Sequence, residues 1–384
     1  MTLTIRDVSI SGYRSLRRIR FPVEPLTVFV GPNGVGKTNL YRALQLVQAA
    51  AAGTFARELA REGGMQSALW AGERGALDEP RIALGVSLAS SETGLGFEYE
   101  IAAGLIPSAK GRTLGAAFPL EPQVKSERLA LAGQTRPVVL LERKGPAGFV
   151  RDENGVRREL GKSLLATDTA LGSLDDAARL PDLHWLRQTM LGWRFYHDFR
   201  TDHGSPLRQP CLAVTTPTLS SDGSDLAAAF ATLVHIRQDT TDLDGMIDEA
   251  FPGARLVVPV PDRTATFGMI FPDYPKRIFD AGELSDGTLR YLALAGSLLS
   301  YRLPPFLALN EPEASLHPDL LGPLARLIVR AAERTQIWLV THSERLAAAI
   351  AAHGRVTPRR VVKKDGATWF EGLRLTGAFN DQDE

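Results

Sequence analysis

The spacing of hydrophobic residues changes several times along the chain, and each spacing predicts a different element. Near the start, LTIRDVSIS and LRRIRFPV alternate apolar and polar residues, which predicts a pair of antiparallel strands. LTVFV is apolar at every position, as expected for a strand that is buried on both faces. GPNGVGKT follows it, and NLYRALQLVQAA then has helical spacing. A strand, a glycine-rich loop and a helix in succession form the context of a phosphate-binding loop.

Between about Arg81 and Val156 the alternation returns. RIALGVSLA, GFEYEIAAG, VKSERLALA and PVVLLERK are short segments separated by Gly, Pro and Ser, which predicts an antiparallel sheet. Residues 164–191 have a helical spacing, WRFYHDF indicates a strand, and residues 201–223 are predicted to form a loop.

The second half of the chain alternates helices and strands. SDLAAAFATLVHIRQ and DLDGMIDEAF predict two helices, and RLVVPVPDRTATFGMIF predicts a further strand pair. Next come, in order, a helix after LSDG, the strand FLALN, a helix after SLHPDL and the strand IWLVTHS. This order is typical of a nucleotide-binding core. RRVVKKDGATWFEGL predicts a hairpin that turns at residues 364–366. No internal repeat or sustained heptad is present, which excludes long coiled-coil arms.

Composition narrows the class of protein. The 384 residues are 44% hydrophobic and 23% charged with a formal net charge of +0, so nucleic acid or lipid binding would have to come from local patches. The start of the chain lacks a secretory signal and no apolar run reaches the roughly 20 residues of a membrane span, which predicts a cytoplasmic protein. Its one cysteine, Cys211, excludes an internal disulfide and is expected to be buried.

The clearest chemical motif lies between Gly31 and Thr38. Gly31, Gly36, Lys37 and Thr38 satisfy G-x-x-x-x-G-K-[ST] completely. Glycines let the backbone curl so that its N–H groups meet phosphate oxygens at the start of a helix. Lys37 is predicted to reach the terminal phosphates and Thr38 to bind Mg²⁺.

Three further segments carry candidate chemistry. Glu311 follows the strand FLALN directly, where it would orient or deprotonate an attacking water. His342, at the end of the next predicted strand, would contact a γ-phosphate, although alone it reads as a loop histidine. Ser285 and Gly287 open a helix and would offer a hydroxyl and N–H groups to an anion; alone, Ser285 reads as a simple N-cap. Because this helix is far from Lys37 in sequence, we expect it to face a nucleotide held by another copy.

These segments together resemble a known family. Their order is similar to that found in ATP-binding-cassette ATPases of the SMC/RecF group. The stretches that carry this resemblance are GYRSL…LTVFVGPNGVGKTNLYRAL, LSDGT, LNEPEASLHP and LVTHS. The chain more closely resembles compact RecF-like bacterial ATPases related to the overcoming-lysogenization-defect (OLD) ATPases, without the TOPRIM nuclease domain. The resemblance covers about residues 1–50 and 225–345. It implies an α/β P-loop NTPase fold with a mixed core sheet, flanking helices, and an antiparallel β-rich and helical insertion.

The resemblance also implies a domain order and site residues. Residues 1–75 and 201–350 would form the ATPase core, 76–200 an insertion or lid, and 351–384 a C-terminal hairpin and tail. A head-to-tail homodimer would enclose two ATP molecules, with Ser285 and Gly287 contacting the γ-phosphate bound by the partner. Glu311 would be the catalytic base and His342 the γ-phosphate sensor. The implied ATP-binding loop consists of Gly31, Pro32, Asn33, Gly34, Val35, Gly36, Lys37, Thr38 and Asn39.

Two positions of the implied site are weakly specified and two depart from the family pattern. Arg14 lies in a Tyr-Arg-Ser stretch that relatives place near the nucleotide, and Gln66 is a candidate for the glutamine that completes the magnesium shell. Asp286 stands where transporters have glycine, and Asn310 replaces the magnesium-shell aspartate. Losing a charge-assisted hydrogen bond costs about 1–2 kcal/mol, or roughly ten- to thirtyfold in rate, which predicts a slow ATPase.

Four functional interpretations remain open. The first is a DNA-associated ATPase of repair or genome maintenance, with basic patches at Arg14, Arg17, Arg18 and Arg20 and at Arg359, Arg360, Lys363 and Lys364. The second is a regulatory ATPase of an antiphage system that acts through a separate effector protein, since the residues after His342 are too few for a nuclease domain. The third is an ATP-gated switch with negligible hydrolysis. The ATP-binding subunit of a membrane transporter, the fourth, fits the β-rich insertion poorly.

Overall fold

The computed structural model describes residues 2–73, 80–105, 118, 120–133, 137–160, 164–174, 176–238 and 240–380. They divide into two compact units. Unit 1 contains residues 1–24, 32–193 and 360–384, and unit 2 contains residues 25–31 and 194–359. The predicted boundary between residues 75 and 76 lies outside the described residues, and the predicted domain limits stay predictions.

The described residues form strands and helices in the following order. The strands are β1 (Leu3–Tyr13), β2 (Leu16–Pro22), β3 (Leu26–Val30), β4 (Arg81–Ser90), β5 (Gly96–Gly104), β6 (Gln123–Ala132), β7 (Val138–Lys144), β8 (Ala147–Arg151), β9 (Arg157–Glu159), β10 (Arg194–Tyr196), β11 (Cys211–Leu212), β12 (Arg255–Val257), β13 (Thr264–Ala265), β14 (Gly268–Ile270), β15 (Phe279–Asp280), β16 (Phe306–Asn310), β17 (Gln336–Thr341), β18 (Arg359–Lys364) and β19 (Ala367–Phe370). The helices are α1 (Lys37–Ala52), α2 (Phe55–Arg61), α3 (Gly64–Ala68), α4 (Pro181–Leu191), α5 (Leu226–Ala231), α6 (Thr241–Ala250), α7 (Asp286–Leu299), α8 (Leu321–Ala332) and α9 (Glu344–Gly354), with a π-helical turn at Thr232–Arg237.

Unit 1 is built on an eight-stranded antiparallel sheet in the order β2-β1-β4-β5-β6-β7-β8-β9. Alternation along each strand places Ile10, Leu84 and Ile101 in the core, while their neighbours face outwards. Helices α1 and α4 pack together on this unit, and the rings of Phe97 and Trp185 meet edge to face at 5.8 Å. The predicted N-terminal strand pair and antiparallel sheet are confirmed.

The predicted helix over residues 164–191 is wrong in its first half, because among the described residues of this segment only Pro181–Leu191 is helical. Two buried side chains of the sheet, Glu127 and Arg143, hydrogen-bond the backbone of the preceding segment. Glu127 accepts from the N–H groups of Ala170 at 2.5 Å and Leu171 at 2.9 Å, and Arg143 donates to the carbonyls of Asp168 and, at 2.7 Å, Leu165. These bonds engage backbone groups that a helix would have paired internally.

Unit 2 contains four parallel strands in the order β10-β16-β17-β3. Leu309 pairs with Leu339, and Leu339 pairs with Val28; all three are fully buried. Helices α5 to α9 supply most of the remaining core of this unit. Strands buried on both faces read as uninterrupted apolar runs, which is why FLALN, IWLVT and LTVFV were recognisable.

Smaller elements complete the two units. In unit 2, β12 pairs with β14 as predicted, and Cys211 lies in β11, half-buried rather than buried as expected. Partial burial raises the pKa of the Cys211 thiol. The hairpin of β18 and β19 turns at Asp365 and Gly366, both with positive φ, which confirms the predicted turn. Among helices of the described residues, none combines the length and apolar character that a membrane crossing needs.

Candidate functional site

The phosphate loop of unit 1 ends at Gly36, which precedes α1. Gly36 has φ 97° and Gly34 has φ 80°, left-handed conformations that glycine adopts without strain. A Cβ atom at Gly36 would lie 2.1 Å from the hydroxyl of Thr368 and 2.3 Å from that of Ser15. Position 36 therefore requires glycine both for its backbone conformation and for lack of space.

Three polar side chains, Ser15, Asn39 and Thr368, form a hydroxyl brace behind the loop. The Asn39 amide donates to Ser15 Oγ at 2.7 Å, and the hydroxyls of Ser15 and Thr368 are 2.7 Å apart. Thr368 Oγ1 also donates to the carbonyl of Val35 at 2.7 Å. The hydroxyl brace therefore holds the phosphate loop from behind. Thr368 could not be singled out from the sequence, because it comes from the distant β19 and belongs to no motif.

The predicted ATP-binding residues on the loop differ in exposure. Pro32, Asn33 and Gly34 are exposed, whereas Val35 and Lys37 are buried. Lys37 Nζ donates to the carbonyl of Pro32 at 2.8 Å, so the ammonium folds back over its own loop. Exposed loop backbone and a lysine on its inner side form a polar surface suited to phosphate oxygens. Gly31 follows β3, and Thr38, in the first turn of α1, is half-buried.

Arg14 and Gln66, the two weakly specified positions, are both in unit 1. Arg14 has φ 48°, and its guanidinium forms an ion pair with Glu62 at 2.8 Å. The Tyr13 hydroxyl donates to the same carboxylate at 2.7 Å, and burial raises the Tyr13 pKa well above its usual value. Arg14 thus has a partner within its own unit. Gln66 is exposed on α3.

In unit 2, the carboxyl ends of the parallel strands form an edge that we call the carboxyl edge. Asn310, the last residue of β16, is 4% exposed, and Glu311 follows it. Glu311 has φ 49°, and its N–H donates to the Val340 carbonyl of the next strand at 2.7 Å. A non-glycine residue with this φ is uncommon, and such residues concentrate at functional sites. The Glu311 side chain is 34% exposed.

The two ends of the Asn310 amide have different surroundings. Nδ2 lies 2.9 Å from Nδ1 of His197, which follows β10. Oδ1 is buried and has no hydrogen-bond partner in the described part of the chain. A buried acceptor without a donor costs free energy unless a ligand or water supplies one. A water molecule bound to Mg²⁺ is a donor of this kind, so Asn310 fits the magnesium shell predicted for it.

Glu313 is a buried carboxylate that the sequence did not single out. Its Oε1 accepts hydrogen bonds from Thr341 Oγ1 at 2.5 Å and from the N–H groups of His342 at 3.1 Å and Ser343 at 3.2 Å. His342 Nδ1 is 3.3 Å from the same oxygen and 3.9 Å from Glu311 Oε1. The structure therefore brings Glu311 and His342 close together, as both predictions require, and adds Glu313 beside them.

The predicted signature residues of unit 2 lie at the start of α7. Ser285 Oγ accepts from the N–H of Thr288 at 3.2 Å, so its hydroxyl caps the helix. Ser285 is exposed and Gly287 is half-buried. Asp286 forms an ion pair with Arg208 at 2.6 Å.

Arg290, one turn further along α7, is buried and connects this helix to the carboxyl edge. It donates to Asp198 Oδ1 at 3.0 Å and to the carbonyl of Glu311 at 3.5 Å. The start of α7 and the backbone of Glu311 are therefore joined by one side chain.

Comparisons with known proteins identify the family and the fold. The family described as "AAA domain, putative AbiEii toxin, Type IV TA system" matches residues 26–348. The OLD nuclease of Thermus scotoductus is 44% identical over 43 residues, which make up 11% of this chain and only 8% of that nuclease.

Solved structures of similar fold are heads of SMC proteins. The Smc head bound to the C-winged helix domain of ScpA has a TM-score of 0.56 at 15% identity, over 97% of this chain and 98% of that one. A Pyrococcus furiosus Smc head, bound to the C-terminal domain of ScpA, has a TM-score of 0.53 at 14% identity, over 97% of each chain. At this identity the likeness shows the fold alone, and it confirms the predicted P-loop architecture. Since the family match spans well over half of the chain, the protein belongs to this AAA-domain family of ATP-binding P-loop ATPases.

Proposed function

We propose that the protein binds ATP with Mg²⁺ and hydrolyses it slowly as a head-to-tail homodimer. The observation that carries the proposal is the carboxyl edge, where Glu311 in a left-handed conformation directly follows Asn310, whose buried Oδ1 has no hydrogen-bond partner among the described residues. Phosphoryl transfer to water requires a positioned carboxylate and an acceptor for the metal shell.

Nucleotide binding is assigned to the phosphate loop. The N–H groups of residues 31–39 would hold the phosphates and Lys37 would neutralise their terminal charge. Thr38 and Asn310 would hold Mg²⁺, with Gln66 as a further candidate. Mg²⁺ would supply neutralisation of the charge on the β- and γ-phosphates. No group of three or more His, Cys, Asp or Glu side chains in the described residues could by itself hold a metal ion.

Hydrolysis is assigned to the carboxyl edge. Glu311 would orient the attacking water and accept its proton, and His342 would contact the γ-phosphate. Asn310 keeps an acceptor oxygen but lacks the charge of aspartate. The resulting loss of about 1–2 kcal/mol makes turnover slow rather than absent.

Dimerisation is assigned to the start of α7. Ser285 and Gly287 would contact the γ-phosphate bound by a second copy. The exposure of Ser285 supports this role, although its hydroxyl caps α7 in the isolated chain.

Sizing and turnover, measured together, test the proposal. With Mg·ATP we expect dimers of the wild type and of Glu311→Gln, and monomers of Lys37→Ala. Hydrolysis should be slow in the wild type and lost in both variants. Glu311→Gln dimers without any wild-type hydrolysis would reduce the protein to an ATP-gated switch. Monomers in every sample would contradict the dimer.

DNA is a second candidate ligand, favoured by a groove on the outward face of the eight-stranded sheet. The groove has a volume of about 980 Å³, and its basic lining residues are Arg18, Arg20, Arg128, Arg143, Lys144 and Arg374. Arg18 and Arg20 belong to the predicted N-terminal basic patch. Arg359 of the second predicted patch is 8% exposed, so that patch is smaller than expected.

An effector protein is the other candidate partner. The family description names a putative toxin of a type IV toxin–antitoxin system, and we infer that the protein would take part in such a system as a regulatory ATPase. In that case the toxic step would belong to a separate protein whose activity depends on the nucleotide state of this one.

A further inference from the structure

We propose that Glu313 positions His342, setting the orientation of the imidazole that the γ-phosphate meets. The proposal rests on the proposed ATPase function and adds a residue to its machinery. Glu313 is a positioning residue in this scheme, because it acts through His342 and needs no contact with the nucleotide.

The contacts of Glu313 are concentrated on one short turn. Its side chain is 5% exposed, and Oε1 receives the Thr341 hydroxyl, the N–H groups of His342 and Ser343, and the approach of His342 Nδ1. Both backbone and ring of His342 are therefore held by the same oxygen. Since Nδ1 is turned towards Glu313, Nε2 is the ring nitrogen left to face a phosphate oxygen.

Stability alone does not account for a carboxylate at this position. Oε2 of Glu313 is buried without a hydrogen-bond partner in the part of the chain that the structure describes. A buried carboxylate with one oxygen unpaired costs several kcal/mol, whereas an apolar residue of similar volume is often neutral or stabilising. The retained charge is explained if it fixes and polarises the imidazole, as carboxylate–histidine pairs do at other sites.

Glu313 also connects the two strand ends. It lies two residues after Glu311, and the N–H of Leu316 donates to its carbonyl at 3.1 Å in the turn that follows β16. Its side chain binds the end of β17. The distance between the Glu311 carboxylate and the His342 ring is thereby set by a single bridging residue.

Kinetics of a double-mutant cycle test the inference. We expect Glu313→Ala to lower kcat about 10- to 100-fold with KM for ATP changed less than about twofold, and Glu313→Gln, which keeps one acceptor oxygen, to recover part of the loss. In a His342→Ala background, Glu313→Ala should change kcat less than about twofold, because the imidazole through which Glu313 is proposed to act is absent. The control Glu333→Ala, exposed after α8, should have wild-type kcat.

A second measurement does not depend on turnover. Long-range ¹H–¹⁵N NMR spectra of the histidine rings, with His342 assigned through His342→Gln, should show a proton on Nδ1 in the nucleotide-free wild type. The Glu313→Ala spectrum should show that proton redistributed to Nε2. If Glu313→Ala does not fold, Glu313→Gln carries both measurements, with an expected loss in kcat of about tenfold.

The outcomes separate this inference from the proposed function. A wild type that hydrolyses ATP, combined with full kcat for a folded Glu313 variant or equal losses in the presence and absence of His342, overturns the role of Glu313 alone. A wild type without hydrolysis overturns the ATPase proposal, while the NMR result still decides whether Glu313 fixes the His342 ring.

Discussion

Asn310 gives its two amide atoms separate tasks. Nδ2 lies 2.9 Å from His197 Nδ1, which orients the side chain, and Oδ1 has no partner among the described residues, so we propose it as the acceptor for the magnesium shell. An aspartate here would have to accept a hydrogen bond from His197 instead of donating one. The Asn310 amide is therefore compatible with the proposed magnesium site, although it carries one negative charge fewer than an aspartate would.

Asn310→Asp is predicted to raise kcat about ten- to thirtyfold, because restoring the charge recovers about 1–2 kcal/mol of metal-shell stability. The Mg²⁺ concentration for half-maximal rate should fall in the same variant. Steady-state turnover over a magnesium titration measures both quantities. Unchanged magnesium dependence would show that position 310 does not act on the metal.

Among individual residues, the sequence singles out those that belong to contiguous motifs, and their roles stay predictions. Each of these residues lies at or next to the end of a strand or the start of a helix that the pattern of apolar residues predicts. They are Lys37, Asn310, Glu311 and His342. Glu313 could not be singled out from the sequence even though it lies inside LNEPEASLHP, because the role proposed for it depends on its burial and on its contacts with β17.

Glu127 shows, at the scale of elements, how a buried side chain can override a local helical pattern. It is 1% exposed on β6, and it binds the backbone of residues 170 and 171 as well as the hydroxyl of Tyr99 at 2.9 Å. Periodicity alone predicted a helix across this segment. The competing hydrogen bonds come from a strand far away in sequence, so no local signal could have announced them.

The buried Glu127 predicts a pH dependence of stability. Burial raises its pKa above the usual 4.5, with the hydrogen bonds from Leu171, Ala170 and Tyr99 opposing the shift. The folded protein then holds this proton more tightly than the unfolded chain does. The stabilisation from Glu127 is therefore complete below the unfolded-chain pKa and is lost as the pH rises through the raised pKa.

Urea unfolding of the wild type and Glu127→Gln measures this effect. From pH 5 upwards, the free energy of unfolding of the wild type should fall relative to that of Glu127→Gln. The exposed Glu121→Gln should show no such trend. A wild type that gains on Glu127→Gln with rising pH would contradict the direction of the shift.

For the whole molecule, charge balance constrains nucleic acid binding. Because the net charge is +0, affinity for DNA would have to come from the groove rather than from the protein's overall field. Each phosphate contact contributes about 0.9 to the slope of log K against log salt.

The double variant Arg18→Ala, Arg20→Ala is accordingly predicted to weaken DNA binding and to reduce the salt slope by about two. Arg61→Ala, on α2 of the same unit, is the matched control and should bind as the wild type does. Salt titrations by fluorescence anisotropy with ATP present give the slope of log K against log salt for the wild type, the double variant and the control. Equal slopes for all three proteins would remove the groove from consideration.

The pairing of β3 with β17 has a consequence for synthesis on the ribosome. Leu26 pairs with Ile337, so the strand that leads into the phosphate loop cannot pair with this neighbour until residue 337 has been translated. Strand pairs so distant in sequence form slowly, and their unpaired edges are prone to aggregation meanwhile. The eight-stranded sheet, by contrast, closes among residues made earlier, between Leu3 and Glu159. The nascent chain is therefore expected to acquire its nucleotide-binding capacity late and to depend on chaperones until then.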